Sequence, residues 1–205
     1  MVEPDLGYLV GALRDGSVFY DKAARNYNVV WYSKYKEYLE QSIEPRVQRV
    51  FLKQGKLENY KPGQWRYKLS GLAHYKLVKD QFGFPTSPND QSTWDAPISI
   101  GAASQATKIA HIRGVYDAEG HVSIPNRYVE VSQKNTNLLL SVKDELARLG
   151  IKTGRVCVVD RTSMTYQIVI ASKRGLASFA RLIGFEHPRK RVQLETLIKM
   201  LEDSS

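Results

Sequence analysis

The sequence predicts an α+β fold: two pseudo-twofold subdomains, each running αββαββα, with antiparallel sheets and helices on one side of them. Three observations lead there. The order helix, strand, strand, helix, strand, strand, helix is legible twice. Each copy opens on an apolar helix that ends in acid–glycine and passes straight into an alternating strand, at Asp15–Gly16 and at Glu119–Gly120. Between the copies, residues 84–103 gather Pro85, Pro88 and Pro97 among Ser, Asn, Asp and Gly, and read as a linker. The chain therefore divides into a first repeat, 1–83, the linker, and a second repeat, 104–205.

The first repeat begins with a short apolar helix, PDLGYLVGALRDG. Two strand-like runs follow, SVFYD and NYNVVWYSK, then a helical stretch from Lys34 to Phe51 with an expected interruption at Pro45. The runs KLENY and QWRYKLS flank the turn signal KPG, and the helix GLAHYKLVKDQFG closes the repeat. The second repeat reads the same way. A helix through SQATKIAHIRGVYDAEG precedes strands HVSIP and RYVEVSQK, and the helix NTNLLLSVKDELARLG ends at Gly150. Strands RVCVVDR and MTYQIVIAS lead to the helix KRGLASFARLIGF. A last amphipathic helix carries Val192, Leu194, Leu197, Ile198 and Leu201.

Thirty Lys and Arg against 21 Asp and Glu give a net charge of +9 and point to a polyanionic partner, nucleic acid before membrane. No run approaches the roughly 20 apolar residues of a membrane span. The acidic N-terminal stretch does not read as a signal peptide. The single cysteine, Cys157, sits in an apolar run, where a packed thiol in a reducing cytoplasm is expected. The four histidines are scattered, without zinc or HNH spacing, and no glycine-rich phosphate loop or helix-turn-helix is evident.

The acids at the two helix ends carry the chemistry. A helix C-terminus is partially negative, so Glu119 there needs either solvent or a cation. Gly114 and Ala118, like Gly7 and Gly11, are spaced four apart and make one small-residue face on each opening helix. Packing through those faces brings Asp15 and Glu119 together. Two carboxylates at two negative helix ends repel unless a cation lies between them. Hard oxygen ligands without His or Cys nearby suit Mg²⁺, two or three ions shared by Asp15 and Glu119. Paired divalent ions are a usual arrangement for in-line phosphodiester cleavage.

The segment IRGVYDAEG resembles the LAGLIDADG motif of homing endonucleases, and YLVGALRDG resembles a first copy. With the order of elements and the central linker, the resemblance covers nearly the whole chain. It is to the single-chain, two-motif class of archaeal introns. The first copy departs from the pattern. Gly11 lies four residues before its acid and Gly114 five, so Val10 and Arg14 fill the places of Gly114 and Ala118. Either the helix contact slides by about a turn onto Gly7 and Gly11, or it is looser.

The resemblance implies a monomeric, metal-dependent, site-specific double-strand DNA endonuclease. Its two sheets form a DNA-binding saddle, and it cuts across the minor groove to leave 3′ overhangs. It implies that Asp15 and Glu119 bind the metal, and that Gln133 and Lys173 orient water and offset charge. The first repeat carries Ser33 where Gln is expected, with Lys34 beside it, and Gly71 in the region of Lys173. Unequal cutting of the two strands follows. The alternative on the same fold is an RNA maturase acting on host intron RNA, or a DNA binder without cleavage. The basic stretch HPRKR, 187–191, reads as a solvated helix start, with a phosphate contact as the sharper option.

Period-2 alternation sorts the strands. Val29, Trp31, Trp65, Tyr67, Leu69, Val122, Ile124, Val129, Val131, Tyr166, Ile168 and Ile170 face the core. The opposite, DNA-reading face then holds Ser17, Asn28, Val30, Tyr32, Gln64, Arg66 and Lys68 in the first repeat, with Lys34 at the strand end. In the second it holds His121, Ser123, Tyr128, Glu130, Ser132, Thr165 and Gln167, and the DNA-binding set is completed by Lys134 at the strand end and by Arg155 and Arg161, which flank the third strand. Gln, Asn, Arg and Ser are the types that hydrogen-bond base edges and phosphates.

Overall fold

The protein is described by a computed structural model over residues 3–85 and 93–203; Pro88 of the expected linker lies outside the described residues. Helix α1 (Pro4–Ala12) begins on a proline, whose missing N–H is no loss in a first turn, and tightens into one 3₁₀ turn, Leu13–Asp15. Strands β1 (Gly16–Asp21) and β2 (Asn26–Ser33) follow. Pro45 does not interrupt the next helical stretch. α2 (Lys36–Tyr38) passes through a π-helical turn, Leu39–Ile43, into α3 (Glu44–Phe51), which has the proline in its first turn. Widening the preceding turn makes room for a residue that can neither donate nor tolerate a carbonyl against its ring. Strands β3 (Lys56–Lys61) and β4 (Gln64–Ser70) turn at Gly63, whose φ of +73° explains the glycine. α4 (Leu72–Lys76) closes the repeat and runs on into a second π turn, Leu77–Gln81.

After the short α5 (Ile98–Gly101), the second repeat opens with α6 (Gln105–Glu119), capped by the Ser104 hydroxyl accepting from the Thr107 N–H. It continues through β5 (Gly120–Ser123), β6 (Tyr128–Gln133) and α7 (Thr136–Arg148), with Asn135 as the cap of α7. Then come β7 (Cys157–Asp160), β8 (Thr165–Ile170), α8 (Lys173–Leu182) and α9 (Pro188–Asp203). Both sheets are antiparallel and four-stranded, with the same order: β1-β2-β4-β3 and β5-β6-β8-β7. The duplication read in the sequence is therefore a duplication of topology.

Each repeat has its own core on the inner face of its sheet, Val29, Trp31, Tyr67 and Leu69 in one, Val129, Val131, Ile168 and Ile170 in the other. The linker is less of a linker than its composition suggests. Phe84, Trp94 and Ile100 pack into the first core, and the Trp94 indole donates to the Phe82 carbonyl at 2.8 Å. Cys157 is exposed, not packed, because β7 is an edge strand and its row, Ser132–Gln167–Cys157, lies on the outer sheet face. Among the described residues, no helix is long and apolar enough to cross a membrane.

Candidate active site

Helices α1 and α6 pack side by side in the same direction, and glycine sets their separation. A methyl group at Gly11 would sit inside the van der Waals shell of the His111 carbonyl oxygen, and one at Gly114 inside that of Tyr8. One at Gly7 would lie 2.9 Å from the Thr107 side chain and carbonyl. The contact has thus slid onto Gly7 and Gly11 in the first helix, and it is tight. Arg14, which stands where the second helix has Ala118, sends its guanidinium to the Trp94 and Asp95 carbonyls.

The two helix ends deliver Asp15 and Glu119 to one place. Burial pushes the Glu119 carboxyl up to about 7, and the charge of Asp15 adds to this. Asp15 opens to solvent, yet the protein crowding one side of it also holds its carboxyl above the ordinary range. Gln133 turns from the inner face of β6 to hydrogen-bond the Glu119 carboxylate. Lys34 lies near Asp15, and its charge favours the ionised carboxylate. Among the described residues, no three His, Cys, Asp or Glu side chains gather into a metal cage. Two crowded carboxylates of like charge remain, an oxygen donor set that suits a hard cation.

The protein supplies one cation itself. Lys190, on the first turn of α9, donates to the carbonyl oxygens of Tyr116, Asp117 and Ala118 at 3.2, 2.7 and 3.3 Å. These are carbonyls of the last turn of α6, of which Tyr116 also accepts from the Gly120 N–H, so the ammonium caps the negative end of that helix. Its charge also acts on Asp117, Glu119 and Asp15, while burial holds its pKa down to about 8. Asp117 returns the tie: its carboxylate accepts from the Glu186 and His187 backbone N–H groups at 3.1–3.2 Å and from the Tyr8 hydroxyl at 2.6 Å. The ends of α6 and α9 are thereby stitched in both directions. A cleft of about 150 Å³ opens beside them, with Asp15, Tyr32, Lys34, Tyr38, His187 and Lys190 among its lining.

Arg14 is a second buried cation. Its guanidinium donates to the Trp94 carbonyl and, at 3.0 Å, to that of Asp95, and lies 3.8 Å from the centre of the Trp94 ring. Burial lowers its pKa to about 9, and Glu119 opposes the shift. The linker is thus clamped to the end of the first motif, and the clamp's charge reaches Glu119.

Residues 106–184 match the LAGLIDADG-like domain family. Over 196 residues the chain is 34% identical to the homing endonuclease I-ApeI of Aeropyrum pernix, covering 94% of this chain and 86% of that protein. The chain belongs to the LAGLIDADG homing endonuclease family. Its fold is similar to that of I-DmoI. The TM-score is 0.71 at 20% identity to the complex with DNA and Ca, covering 95% and 100% of the two chains. Against the complex with DNA and Mn it is 0.67 at 22% identity, covering 86% and 94%.

For this LAGLIDADG chain, Asp15, Glu119, Gln133 and Lys34 gather at the junction of the repeats. Lys173 does not stand out there: it is exposed at the start of α8, and the basic groups that act on Glu119 are Lys190 and Arg14. Most sheet-face residues lie on the outer face at least partly accessible: Ser17, Tyr32, Gln64, Arg66 and Lys68; His121, Tyr128, Glu130, Ser132, Thr165 and Gln167. Lys134, Arg155 and Arg161 are exposed beyond the strand ends. Asn28 and Ser123 are corrections. Asn28 is buried and accepts from the Ser70 hydroxyl at 2.7 Å; Ser123 is buried and accepts from Asn126. Val30, also on the outer face, is covered completely. HPRKR is the helix start expected, and Arg189 and Arg191 are solvated as read, but His187 is buried and stacks on Tyr38, and Lys190 is the cap described above. The sequence does not single out Asp117 or Glu58, and it places Lys190 in a basic helix start without pairing it to Glu119. Glu119 itself was the available signal for Lys190, since an acid at a helix C-terminus asks for a cation.

Proposed function

We propose that the chain is a site-specific double-strand DNA endonuclease that hydrolyses phosphodiester bonds with divalent ions held by Asp15 and Glu119. The observation that carries this reading is the convergence of those two crowded carboxylates at the junction of two equivalent sheets. Mg²⁺ is the ion that the all-oxygen donor set favours. Bound divalent ions supply Lewis-acid stabilisation of charge on the phosphate and activation of water.

The chain's own residues do the rest. Gln133 fixes the Glu119 carboxylate through its hydrogen bond. Lys190 holds the end of α6 and offsets part of the negative charge before any metal arrives. Lys34 does the same beside Asp15, and exposed Lys173 is placed to meet a phosphate that approaches α8. The outer sheet faces bind DNA as a saddle, and the acids at its centre cut across the minor groove to leave 3′ overhangs. One chain contains both acids, so a monomer suffices. The two half-sites are unequal, because Ser33 and Gly71 in the first repeat stand where the second has Gln133 and Lys173. A cytoplasmic setting suits the lone thiol. Host intron RNA is the alternative partner for the same basic surface, but a maturase or binding-only role does not require paired acids.

The test is cleavage of a plasmid library of candidate insertion sites with Mg²⁺, with Ca²⁺ and with the Glu119→Gln variant. We expect linear product with Mg²⁺, lost in Glu119→Gln while DNA binding survives. Nicked product alone supports unequal half-sites. Tight binding of a defined site without cleavage in any metal overturns the enzyme reading.

A further inference from the structure

The outer face of the first sheet carries an acid to which its basic side chains are tied. Glu58, on edge strand β3, sits in one cross-strand row with Arg66 and Tyr32. Its Oε1 accepts from Arg66 Nε at 2.7 Å and Nη2 at 2.6 Å, and lies 3.3 Å from Lys68 Nζ. Its Oε2 lies 2.8 Å from Lys56 Nζ. Three cations therefore converge on one carboxylate, which they hold at a pKa of about 2. Arg66 is fixed from a second side. Its guanidinium carbon is 4.8 Å from the Tyr60 ring centre, and that ring packs 5.3 Å from Tyr32.

The cluster belongs to the first repeat alone. The matching row of the second sheet reads Ser132–Gln167–Cys157 and holds no charge. Packing of the fold does not require it, since Lys56 is largely exposed and every member lies on the face away from the core.

Two physical effects follow from it. Loose lysines and arginines attract phosphate without regard to sequence, and that attraction scales with the number of counterions released. A carboxylate among them lowers it. A guanidinium held in one plane can instead present a fixed donor pattern to a base edge, which discriminates bases where a mobile charge does not.

We propose that Glu58 is a specificity-determining residue: it restrains Arg66, Lys68 and Lys56, so that the first repeat reads base edges instead of binding any phosphate. This rests on the reading above that the outer sheet face lies against DNA.

The experiment selects a binding consensus from a randomised double-stranded library with the wild-type chain in EDTA, so that no strand is cut. Affinities for the consensus and for a scrambled duplex are then measured across salt for wild type, Glu58→Gln and Glu195→Gln. The last removes the same charge from α9, away from the sheets. Glu58→Gln is expected to bind the scrambled duplex about 3–10-fold tighter at low salt with a steeper salt dependence. It should lose about tenfold in the ratio of consensus to scrambled affinity. Its relaxed base preference should be confined to one half of the consensus.

If Glu195→Gln behaves identically, or if Glu58→Gln keeps the wild-type ratio and profile, the inference is overturned while DNA binding by the sheets stands. If the wild-type chain selects no consensus at all, the reading beneath it falls as well. Circular dichroism of Glu58→Gln matching wild type establishes that the folded protein is being compared.

Discussion

Replacing Lys190 with methionine removes the ammonium that acts on both Asp15 and Glu119. The side chain keeps its length and apolar stem, so the change isolates the charge and its three hydrogen bonds to Tyr116, Asp117 and Ala118. What remains is a helix end with uncapped carbonyls beside Asp15, Asp117 and Glu119. Removing one partner from a buried charged group costs about 3–5 kcal/mol. The hydrogen bonds to the carbonyls are part of that cost, not an addition to it. For a chain of this size the loss corresponds to a fall in Tm of about 10 °C. The assay is thermal unfolding in EDTA and again with Ca²⁺.

Wild type should gain less from Ca²⁺ than the variant does, because Lys190 already offsets part of the repulsion. Lys190→Met should recover a large part of its deficit, because a cation that binds only the folded state stabilises by mass action. Lys190→Arg should fall between the two. A Lys190→Met protein as stable as wild type in EDTA, with the same response to Ca²⁺, would refute the assignment of Lys190 as the internal counter-charge.

Three further outcomes are expected. Gly11→Ala or Gly114→Ala drives a methyl into a backbone carbonyl across the helix interface and should destabilise by about 3 kcal/mol in urea unfolding, with loss of cleavage as the acids part. Gly101→Ala, where a methyl meets open space, should be neutral or stabilising by up to about 1 kcal/mol. His111 is buried, with Arg14 facing it, and is held neutral with a pKa of about 3. The unfolded chain takes up a proton at this position that the folded chain refuses, so the contribution of His111 to stability falls as pH drops below about 6.5, by about 2 kcal/mol between pH 7 and 5, against the opposing contribution of Glu119, whose carboxyl is held high. In urea unfolding at those two pH values, His111→Gln should lose less stability than wild type, and an unchanged difference would assign the acid sensitivity elsewhere.

Much of this protein was legible because the informative patterns are local. Hydrophobic period and turn residues report on neighbours a few positions away, and they sufficed for both αββαββα repeats, for the inner face of each sheet and for the pairing of Asp15 with Glu119. Glycine spacing even allowed the slide onto Gly7 and Gly11. Only the tertiary structure decided which distant groups share a carboxylate's field. Lys190 lies 71 residues beyond Glu119 in the chain, and Arg14 meets Trp94 across the linker. No period relates such residues; they come together because two helices and a linker dock. Alternation placed Asn28 and Ser123 on the outer face, but it is blind to what covers that face. It likewise could not anticipate that Gln133, on the inner parity of β6, turns to the acid at its strand end. The same holds for Glu58. Its own strand supplies Lys56 two residues away, but only cross-strand register brings Arg66 and Lys68 to the same oxygens.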